Sequence, residues 1–198
     1  MGRSWWYRLE WSNNTIYMKA LILSAGRGTR LGKLTKEIPK PMITVGNYPV
    51  LEHLVFHLSK FGITQIMVNL HYKPEVIMNY FGTGLLYSYE PTLLGEEGTI
   101  QSLKHWLFTD YTVVMNGDTL TDIDIGQMFR WSQGKNIISM DGNIYTGTKI
   151  ISPRYFFGEK EFVKYYDPTM YWKDIGTFSG LKSARDYYEK IHNLSASN

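Results

Sequence analysis

Residues 19–31 read KALILSAGRGTRL, an apolar run that passes directly into a glycine-rich loop. The run Lys19–Ser24 is short and mostly apolar, which is typical of a strand buried in a sheet. Glycines that follow such a strand let backbone N–H groups approach a phosphate closely, and open α/β sheets bind ligands at the carboxyl ends of their strands. The stretch therefore predicts an α/β fold with a phosphate-binding loop after its first strand.

This loop matches neither of the two most common nucleotide-binding loops. A dinucleotide-binding fingerprint would need a third glycine at position 31, where the chain has Leu31. A P-loop needs a Gly-Lys-Ser/Thr sequence at a fixed distance after its first glycine, and neither Gly26 nor Gly28 has one. A different kind of phosphate loop is therefore expected.

Beyond the loop, strand and helix patterns alternate along much of the chain. Ala25–Pro49 shows no regular pattern and is predicted to be a long loop. The alternation predicts a Rossmann-like, mostly parallel sheet with helices on both faces. The elements predicted after the loop are helix Val50–Phe61, strand Gln65–Leu70, helix Pro74–Phe81, strand Leu85–Glu90, helix Thr99–Leu107 and strand Tyr111–Met115.

The later part of the chain has a different pattern, which predicts a small antiparallel addition to the sheet. Asn136–Met140 and Ile144–Ile151 flank an Asp-Gly-Asn turn and are predicted to form a hairpin. Tyr171–Ile175 is predicted to be a further short strand, and Phe178–Asn193 a charged terminal helix. No linker or repeat interrupts the pattern, so residues 18–193 are expected to form a single domain.

The composition excludes several classes of protein and site. The 198 residues carry a net charge of +3 without a polybasic block, which gives no argument for a nucleic-acid partner. The absence of cysteine excludes disulfides and thiolate metal sites. No apolar run reaches the roughly 18 residues of a membrane span, and no signal-peptide core occurs, so we expect a cytoplasmic protein without a membrane partner. Whether the protein forms a homo-oligomer is left open.

Residues 1–17 are interpreted as an N-terminal extension that precedes the first strand. They are polar overall but contain Trp5, Trp6 and Trp11. Both a disordered segment and one that packs on the domain are compatible with this composition, and no function is assigned to it.

The tail of the glycine loop carries two cationic side chains that suit a polyphosphate. Arg30 is followed by Pro39-Lys40-Pro41, in which two prolines stiffen the chain around one lysine. Both cationic side chains are expected on an exposed loop. From the residues alone, a surface loop with solvated charges remains the alternative.

The wider stretch of residues 23–42, LSAGRGTRLGKLTKEIPKPM, closely resembles the signature of the sugar-1-phosphate nucleotidylyltransferases. That family includes glucose-1-phosphate thymidylyltransferase, mannose-1-phosphate guanylyltransferase and N-acetylmuramate-1-phosphate uridylyltransferase. The resemblance continues at residues 49–52 (PVLE), 94–98 (LGEEG), 116–118 (NGD) and 174–177 (DIGT), and at Gly147. It implies an enzyme that transfers the nucleoside monophosphate of a nucleoside triphosphate to a sugar 1-phosphate and releases pyrophosphate.

The resemblance also implies which residues form the site. Arg30 would hold the triphosphate and the leaving pyrophosphate, and Lys40 would bridge the α-phosphate and the sugar phosphate. Asp118 and Asp174 would bind Mg²⁺, although a lone Asp at a strand end is, from the residues alone, more often a turn or cap residue. Asp124 matches nothing in the signature and is interpreted as a helix N-cap. The implied binding residues are Leu23, Ala25, Gly26, Arg27, Gly28, Thr29, Glu97 and Gly98 for the nucleotide, and Thr146 and Gly147 for the sugar.

Two departures from the family pattern concern the substrates. The Glu-Lys-Pro motif that helps to hold the sugar phosphate is missing, and Lys149 and Lys164 are either its substitutes or ordinary surface lysines. The loop that faces the base has Glu96 and Glu97 where the family has small residues. A carboxylate can accept both adjacent donors of guanine, which would favour GTP. Alternatively, the two glutamates merely support the start of a helix.

Two other functions stay open at this point. A non-catalytic nucleotide-sugar-binding module could remain after loss of the sugar segment, although such a module has little use for the complete set of charged residues. A cytidylyltransferase that acts on phosphocholine would need aromatic rings around a quaternary amine. The candidate rings are Tyr165, Tyr166, Tyr171 and Trp172.

Overall fold

A seven-stranded sheet forms the centre of the fold. The computed structural model describes residues 18–196, with side chains described to residue 191. The predicted N-terminal extension, residues 1–17, lies outside the described residues. The strands of the described part are β1 (Met18–Leu23), β2 (Thr44–Val45), β3 (Tyr48–Pro49), β4 (Ile66–Leu70), β5 (Leu86–Tyr89), β6 (Tyr111–Asn116), β7 (Thr119–Thr121), β8 (Ile137–Asp141), β9 (Ile144–Ile151), β10 (Val163–Tyr166) and β11 (Trp172–Asp174).

The helices cover the sheet and fill the connections between its strands. Short 3₁₀ turns add to them at residues 29–31, 40–42 and 153–157. Among residues 18–196, no helix is both long enough and apolar enough to cross a membrane. The helices are α1 (Leu34–Glu37), α2 (Val50–Lys60), α3 (Pro74–Phe81), α4 (Gly95–Ser102), α5 (Lys104–Leu107), α6 (Ile125–Ser132) and α7 (Phe178–Ala196).

The strand order of the main sheet is β10-β8-β9-β6-β1-β4-β5. β1 pairs in parallel with β4 and β6, β4 with β5, and β10 with β8. β9 runs antiparallel between β6 and β8, which confirms the predicted hairpin. Two small antiparallel sheets, β2–β3 and β7–β11, lie beside the main sheet. The predicted α/β class, mostly parallel with an antiparallel addition, is therefore confirmed.

The apolar run of β1 is buried on both of its faces, which is why it shows no alternation. Ala20 and Ile22 pack in a core cluster with residues of α2, α3 and α6. Leu21, on the opposite face, packs in a second cluster that includes Ile100 of α4 and Leu107 of α5. Helices therefore cover both faces of the sheet, as predicted.

A third core cluster ties the glycine loop to the C-terminal part of the chain. Leu31, at the end of the loop, is fully buried with Ile175, Leu181 and Ala184. The last two belong to α7, so this helix packs against the loop that follows β1. The packing of these apolar side chains thus places the end of β1 close to the end of β11.

One predicted helix differs in its bounds. The helix predicted at Thr99–Leu107 begins earlier, at Gly95, and is divided into α4 and α5. Glycines disfavour helix, so the pattern alone does not reach back to Gly95. Glu96 and Glu97 lie in the first turn of α4, where carboxylates interact favourably with the helix dipole.

The predicted loop and the segment that follows β9 contain more regular structure than expected. Ala25–Pro49 includes α1, β2 and β3, which are all short. β2 packs against α7, β3 packs against α2, and α1 contacts the 3₁₀ turn at residues 29–31. β10, which was not predicted, adds a parallel edge strand next to β8. Asp124 caps α6, because its side chain accepts a 2.7 Å hydrogen bond from the N–H of Gln127, and this prediction is confirmed.

Candidate functional site

The glycine loop is fixed against the lysine segment by a close backbone approach. Gly28 has a φ of 64°, in the left-handed region that favours glycine. A Cβ atom there would lie 2.9 Å from Cβ of Lys40 and 3.1 Å from Cγ2 of Thr35. The hydroxyl of Thr35 donates a 3.0 Å hydrogen bond to the carbonyl of Gly28. Any side chain at position 28 would therefore push the loop away from Lys40.

The start of the loop is open on the side where a phosphate could approach. A Cβ atom on Gly26 would meet nothing within 4 Å. The guanidinium of Arg27 lies 6.0 Å from the centre of the Tyr72 ring, in a cation–π contact. Leu23 and Ala25 belong to the packed base of the loop. Backbone N–H groups, rather than the small side chains, are thus what the loop offers to a ligand.

Lys40 is buried, with 8% of its side chain exposed. Its ammonium donates a hydrogen bond to the carboxylate of Asp118 and lies 3.5 Å from Oδ1 of Asp174. The expectation of an exposed lysine is therefore wrong, because carboxylates from two other segments close over it. A buried ammonium is tolerated only when it is paired in this way.

Arg30 remains on the surface of the site, as expected. Its side chain is 64% exposed, and its guanidinium lies 4.0 Å from Oδ2 of Asp174. Solvent screens a contact of this length strongly, so the contact orients Arg30 without holding it tightly. The guanidinium is consequently able to reach a bound anion.

The pairing of β7 with β11 brings the two aspartates together. Asp118 follows the end of β6, and Asp174, at the end of β11, is the register partner of Thr119. The N–H of Ile175 donates a 2.9 Å hydrogen bond to the carbonyl of Asp118. The two backbone segments that carry the aspartates are thus fixed to one another.

A glycine lies among the four charged side chains, which we call the charged quartet: Arg30, Lys40, Asp118 and Asp174. A Cβ atom on Gly176 would lie 2.5 Å from Nζ of Lys40, 2.7 Å from Oδ1 of Asp174 and 2.9 Å from a guanidinium nitrogen of Arg30. The N–H of Gly176 also donates a 2.5 Å hydrogen bond to Oδ1 of Asp174. Even a methyl group at this position would spread the charges apart.

The two carboxylates of the quartet fit a divalent metal ion of the magnesium type. Within the described residues, no group of three or more His, Cys, Asp and Glu side chains is arranged to hold a metal, so a closed cage of the zinc type does not occur there. Mg²⁺ instead takes one or two carboxylates and completes its shell with phosphate oxygens and water. The ammonium of Lys40 already marks a position where both carboxylates face one cation.

The predicted sugar-side residues lie on β9, beside the turn that carries Asp118. Gly147 has a φ of 87°, and a Cβ atom there would lie 2.8 Å from Oγ1 of Thr119. The hydroxyl of Thr146 donates a 2.7 Å hydrogen bond to Oγ of Ser139 and is buried. The hydroxyl of Thr146 therefore bonds within the sheet, so only the backbone groups of Thr146 could contact a ligand.

The two glutamates of the base-side loop are both engaged by protein groups. Glu96 forms an ion pair with Lys149. Glu97 accepts hydrogen bonds from Tyr155, from Lys160 at 2.8 Å and from Gln101 at 2.9 Å.

These partners also determine how readily Glu97 is protonated. Burial alone would raise the pKa of Glu97, but the hydrogen bonds from Lys160, Tyr155 and Gln101 together lower it below its usual range. Glu97 is thus a satisfied anion, as Glu96 is in its ion pair, and the argument for guanine from an unpaired carboxylate does not apply to either glutamate.

A buried polar network behind the loop was missed by the sequence analysis. Asn69 Oδ1 accepts a 2.6 Å hydrogen bond from the N–H of Ser24, and its amide donates to Oε1 of Glu90 at 2.9 Å. Thr99 of α4 donates to the same carboxylate at 2.5 Å, and the N–H of Leu94 donates to Oε2 at 3.2 Å. The network links the glycine loop to the base-side loop. The sequence does contain a signal for this network, because Asn69 and Glu90 are polar residues at the ends of apolar strand patterns.

The candidate rings for a choline cage are already used by the fold. Tyr165 is buried, and its hydroxyl donates to Gln127. Tyr171 stacks on Tyr187 with ring centroids 3.5 Å apart, and burial raises its pKa to about 12. The indole of Trp172 donates a 3.1 Å hydrogen bond to Asp141.

The other two side chains considered for the acceptor side are both exposed. Tyr166 and Lys164 lie on β10, the edge strand of the main sheet. The described aromatic contacts therefore give no support to a phosphocholine acceptor.

The model of the nucleotidyl transferase family matches residues 19–146 of this chain. A D-glycero-alpha-D-manno-heptose 1-phosphate guanylyltransferase of Aneurinibacillus thermoaerophilus is 38% identical over 117 residues, which are 57% of this chain and 51% of that protein. A UTP–glucose-1-phosphate uridylyltransferase of Synechocystis sp. is 36% identical over 139 residues, 62% of this chain and 36% of that protein. The chain spans about half the length, or less, of the curated relatives it matches.

Solved structures share the fold. A UDP-glucose pyrophosphorylase from Acinetobacter baumanii superposes with a TM-score of 0.76 at 17% identity, over 92% of this chain and 99% of that chain. HddC from Yersinia pseudotuberculosis, complexed with GMP-PN, superposes with a TM-score of 0.73 at 22% identity, over 86% of this chain and 99% of that chain. At these identities the likeness concerns the fold, which agrees with the family that the sequence matches.

Proposed function

This chain belongs to the nucleotidyl transferase family, and from that premise we propose that it transfers the nucleoside monophosphate of a nucleoside triphosphate to a sugar 1-phosphate. The observation that carries the proposal is the charged quartet, in which Arg30, Lys40, Asp118 and Asp174 converge from four segments at the end of the glycine loop. A sugar phosphate oxygen attacks the α-phosphorus in line, the bond to the bridging oxygen of the β-phosphate breaks, and pyrophosphate leaves.

The residues of the site act by positioning and by neutralising charge, because no protein nucleophile is needed. The backbone of the glycine loop approaches the phosphates, and the exposed guanidinium of Arg30 holds the leaving pyrophosphate. The ammonium of Lys40 exchanges its carboxylate partners for oxygens of the α-phosphate and the sugar phosphate. Its buried position strengthens the contact with charge that develops in the transition state.

Asp118 and Asp174 would hold a divalent cation, for which Mg²⁺ is the natural choice. When bound, the ion neutralises phosphate oxygens and makes the α-phosphorus more electrophilic. Both carboxylates already face the ammonium of Lys40, so their side chains need little rearrangement to accept a cation.

GTP is the nucleotide we propose, with a sugar 1-phosphate as acceptor. Relatives of this chain are named as guanylyltransferases of a manno-heptose 1-phosphate and of mannose 1-phosphate. A preference for GTP rests on this relationship, because Glu96 and Glu97 already have protein partners. Equal or better use of UTP or dTTP by the wild-type protein would refute it.

A pyrophosphate-release assay tests the proposal. ATP, GTP, CTP, UTP and dTTP are each combined with mannose 1-phosphate, glucose 1-phosphate and phosphocholine in the presence of Mg²⁺. Release with a sugar 1-phosphate, lost in Lys40→Met but retained in Lys135→Met, supports the transferase. Lys135 is a matched control, because it is exposed and lies before the start of β8, which runs in the same direction as β6, whereas Asp118 follows the end of β6. Nucleotide binding without turnover in any combination would instead support the non-catalytic module.

A further inference from the structure

A cavity of about 420 Å³ borders the glycine loop, and three cationic side chains line it: Arg27, Lys33 and Lys36. All three are exposed. Neither a carboxylate nor a member of the charged quartet is among the residues that line this cavity. The cavity is therefore a feature separate from the quartet, although it shares the glycine loop with it.

The positive charges around this cavity are not compensated by the protein. In the described part of the chain, none of the three cations forms an ion pair. Glu37 follows Lys36 directly, but its carboxylate lies 3.3 Å from the ammonium of Lys73 and pairs with that residue instead. Like charges gathered around one cavity repel each other and attract anions. An anion that bridges them would relieve this repulsion.

Hydrogen bonds hold the walls of the cavity together. The hydroxyl of Tyr72, in the turn after β4, lies 3.0 Å from the carbonyl oxygens of both Thr35 and Lys36 and so joins this turn to α1. The hydroxyl of Thr35 donates a 3.0 Å hydrogen bond to the carbonyl of Gly28, which joins α1 to the glycine loop. A ligand would therefore meet walls that are already fixed, and binding would order little of the backbone.

The side chains around the cavity suit phosphate groups. The guanidinium of Arg27, in contact with the ring of Tyr72, offers a fork of N–H donors that matches phosphate oxygens. Lys33 and Lys36 add two point charges at other positions of the wall, so a ligand with several phosphate groups can contact more cations than one with a single group. A concave cavity of this size suits a small molecule, whereas a nucleic acid calls for a basic stripe or face.

We propose that Arg27, Lys33, Lys36 and Tyr72 form a second anion site, distinct from the charged quartet, which binds a small ligand that carries two or more phosphate groups. Inorganic pyrophosphate and an organic bisphosphate share this chemistry. The site requires no turnover, so the inference goes beyond the proposed function and can fail or hold independently of it.

A double variant tests the site without touching the residues assigned to the nucleotide. Lys33→Gln with Lys36→Gln removes two exposed charges that have no ion-pair partner in the described part of the chain, so the fold should not depend on them. The matched control, Lys60→Gln with Lys135→Gln, lowers the net charge equally and also changes exposed side chains. Lys60 ends α2 ahead of β4, whereas Tyr72 follows the end of β4, so the control lies away from the cavity.

Isothermal titration calorimetry at one fixed ionic strength, in excess chelator, measures binding of pyrophosphate, glucose 1,6-bisphosphate and orthophosphate. We expect the wild type to bind pyrophosphate or the bisphosphate at least about tenfold more tightly than orthophosphate, because more cations are engaged. The double variant should lose at least about tenfold in affinity for the tighter ligand, and each single variant about threefold. The control and Arg30→Met, which removes the exposed cation of the quartet, should stay within about twofold of the wild type.

The tighter of the two multiply phosphorylated ligands identifies the source of the phosphates, and either one supports the site. The inference is overturned if the wild type binds neither of them, or if orthophosphate binds as tightly. An equal loss in the control would show a general effect of net charge, and an equal loss in Arg30→Met would show one continuous site with the quartet, so both results also contradict it. Tighter binding of a single-stranded DNA oligonucleotide, lost in the same double variant, would assign the surface to a nucleic acid instead. The pyrophosphate-release assay decides the proposed function separately from all of these results.

Discussion

Replacing Lys40 and Arg30 in turn separates catalysis from stability, because one side chain is buried and the other is exposed. Both Lys40→Met and Arg30→Met should lower turnover by about a hundredfold, since a charge contact made mainly in the transition state contributes about 3 kcal/mol. Their effects on the free energy of unfolding should differ. Lys40→Met leaves Asp118 and Asp174 facing each other without the cation between them.

The size of the stability loss follows from the exposure of the carboxylates. Two unit charges about 4 Å apart attract by about 4 kcal/mol at an effective dielectric constant of about 20. The side chains of Asp118 and Asp174 are 28% and 46% exposed, so solvent screens much of this attraction. We therefore expect Lys40→Met to cost about 1–2 kcal/mol. Arg30→Met should cost about 0.5 kcal/mol or less, because its contact is long and exposed.

Urea unfolding with and without Mg²⁺ measures these differences, alongside turnover on the same preparations. Mg²⁺ should stabilise Lys40→Met more than the wild type, because a cation then occupies the position that the ammonium leaves. Near-wild-type turnover in both variants would refute the catalytic assignment. If Arg30→Met loses as much stability as Lys40→Met, or if Mg²⁺ stabilises both variants equally, the reasoning from burial is wrong.

Four further changes test other parts of the site. Gly176→Ala should lower turnover at least about tenfold yet cost less than about 1 kcal/mol in urea unfolding, because the methyl group displaces mainly the ends of flexible side chains. Asp118→Asn and Asp174→Asn should each raise the Mg²⁺ concentration needed for half-maximal turnover, and full wild-type activity in excess chelator would contradict the metal assignment. Asn69→Ala should cost about 2 kcal/mol in thermal unfolding, since it leaves buried polar groups unpaired. Deleting residues 1–17 should leave a folded, active protein, and insoluble protein would show that this segment packs on the domain.

The elements that the sequence predicts well are those whose signals are local. The apolar run of β1 is buried on both faces in the structure, which explains why its apolar residues are consecutive rather than alternating with polar ones. The hairpin of β8 and β9 follows from a turn signal between two strand patterns. Asp124 caps α6 by accepting a hydrogen bond from Gln127, which is only three residues away in the sequence. In each case the sequence signal lies within the element itself or in the few residues beside it.

The features that were missed depend on partners far along the chain. Lys149 and Tyr155 lie 53 and 58 residues from the glutamates they contact, so no local pattern reveals that Glu96 and Glu97 are satisfied. The burial of Lys40 was missed for the same reason. Its flanking prolines suggested an exposed, stiff loop, whereas the carboxylate that buries it lies 78 residues away.

The balance of charge in the quartet bears on the choice between an enzyme and a binding module. Arg30 and Lys40 supply two positive charges, and Asp118 and Asp174 supply two negative charges, so the group as a whole is neutral. A module that merely retained a polyphosphate would gain affinity from unpaired cations, and the two carboxylates would weaken it. A divalent cation would remove this unfavourable effect of the carboxylates, because it would bind to them and leave Lys40 able to contact phosphate oxygens. The arrangement therefore favours a site that becomes complementary to the phosphates when metal and nucleotide bind together, which is the requirement of phosphoryl-group chemistry rather than of simple retention.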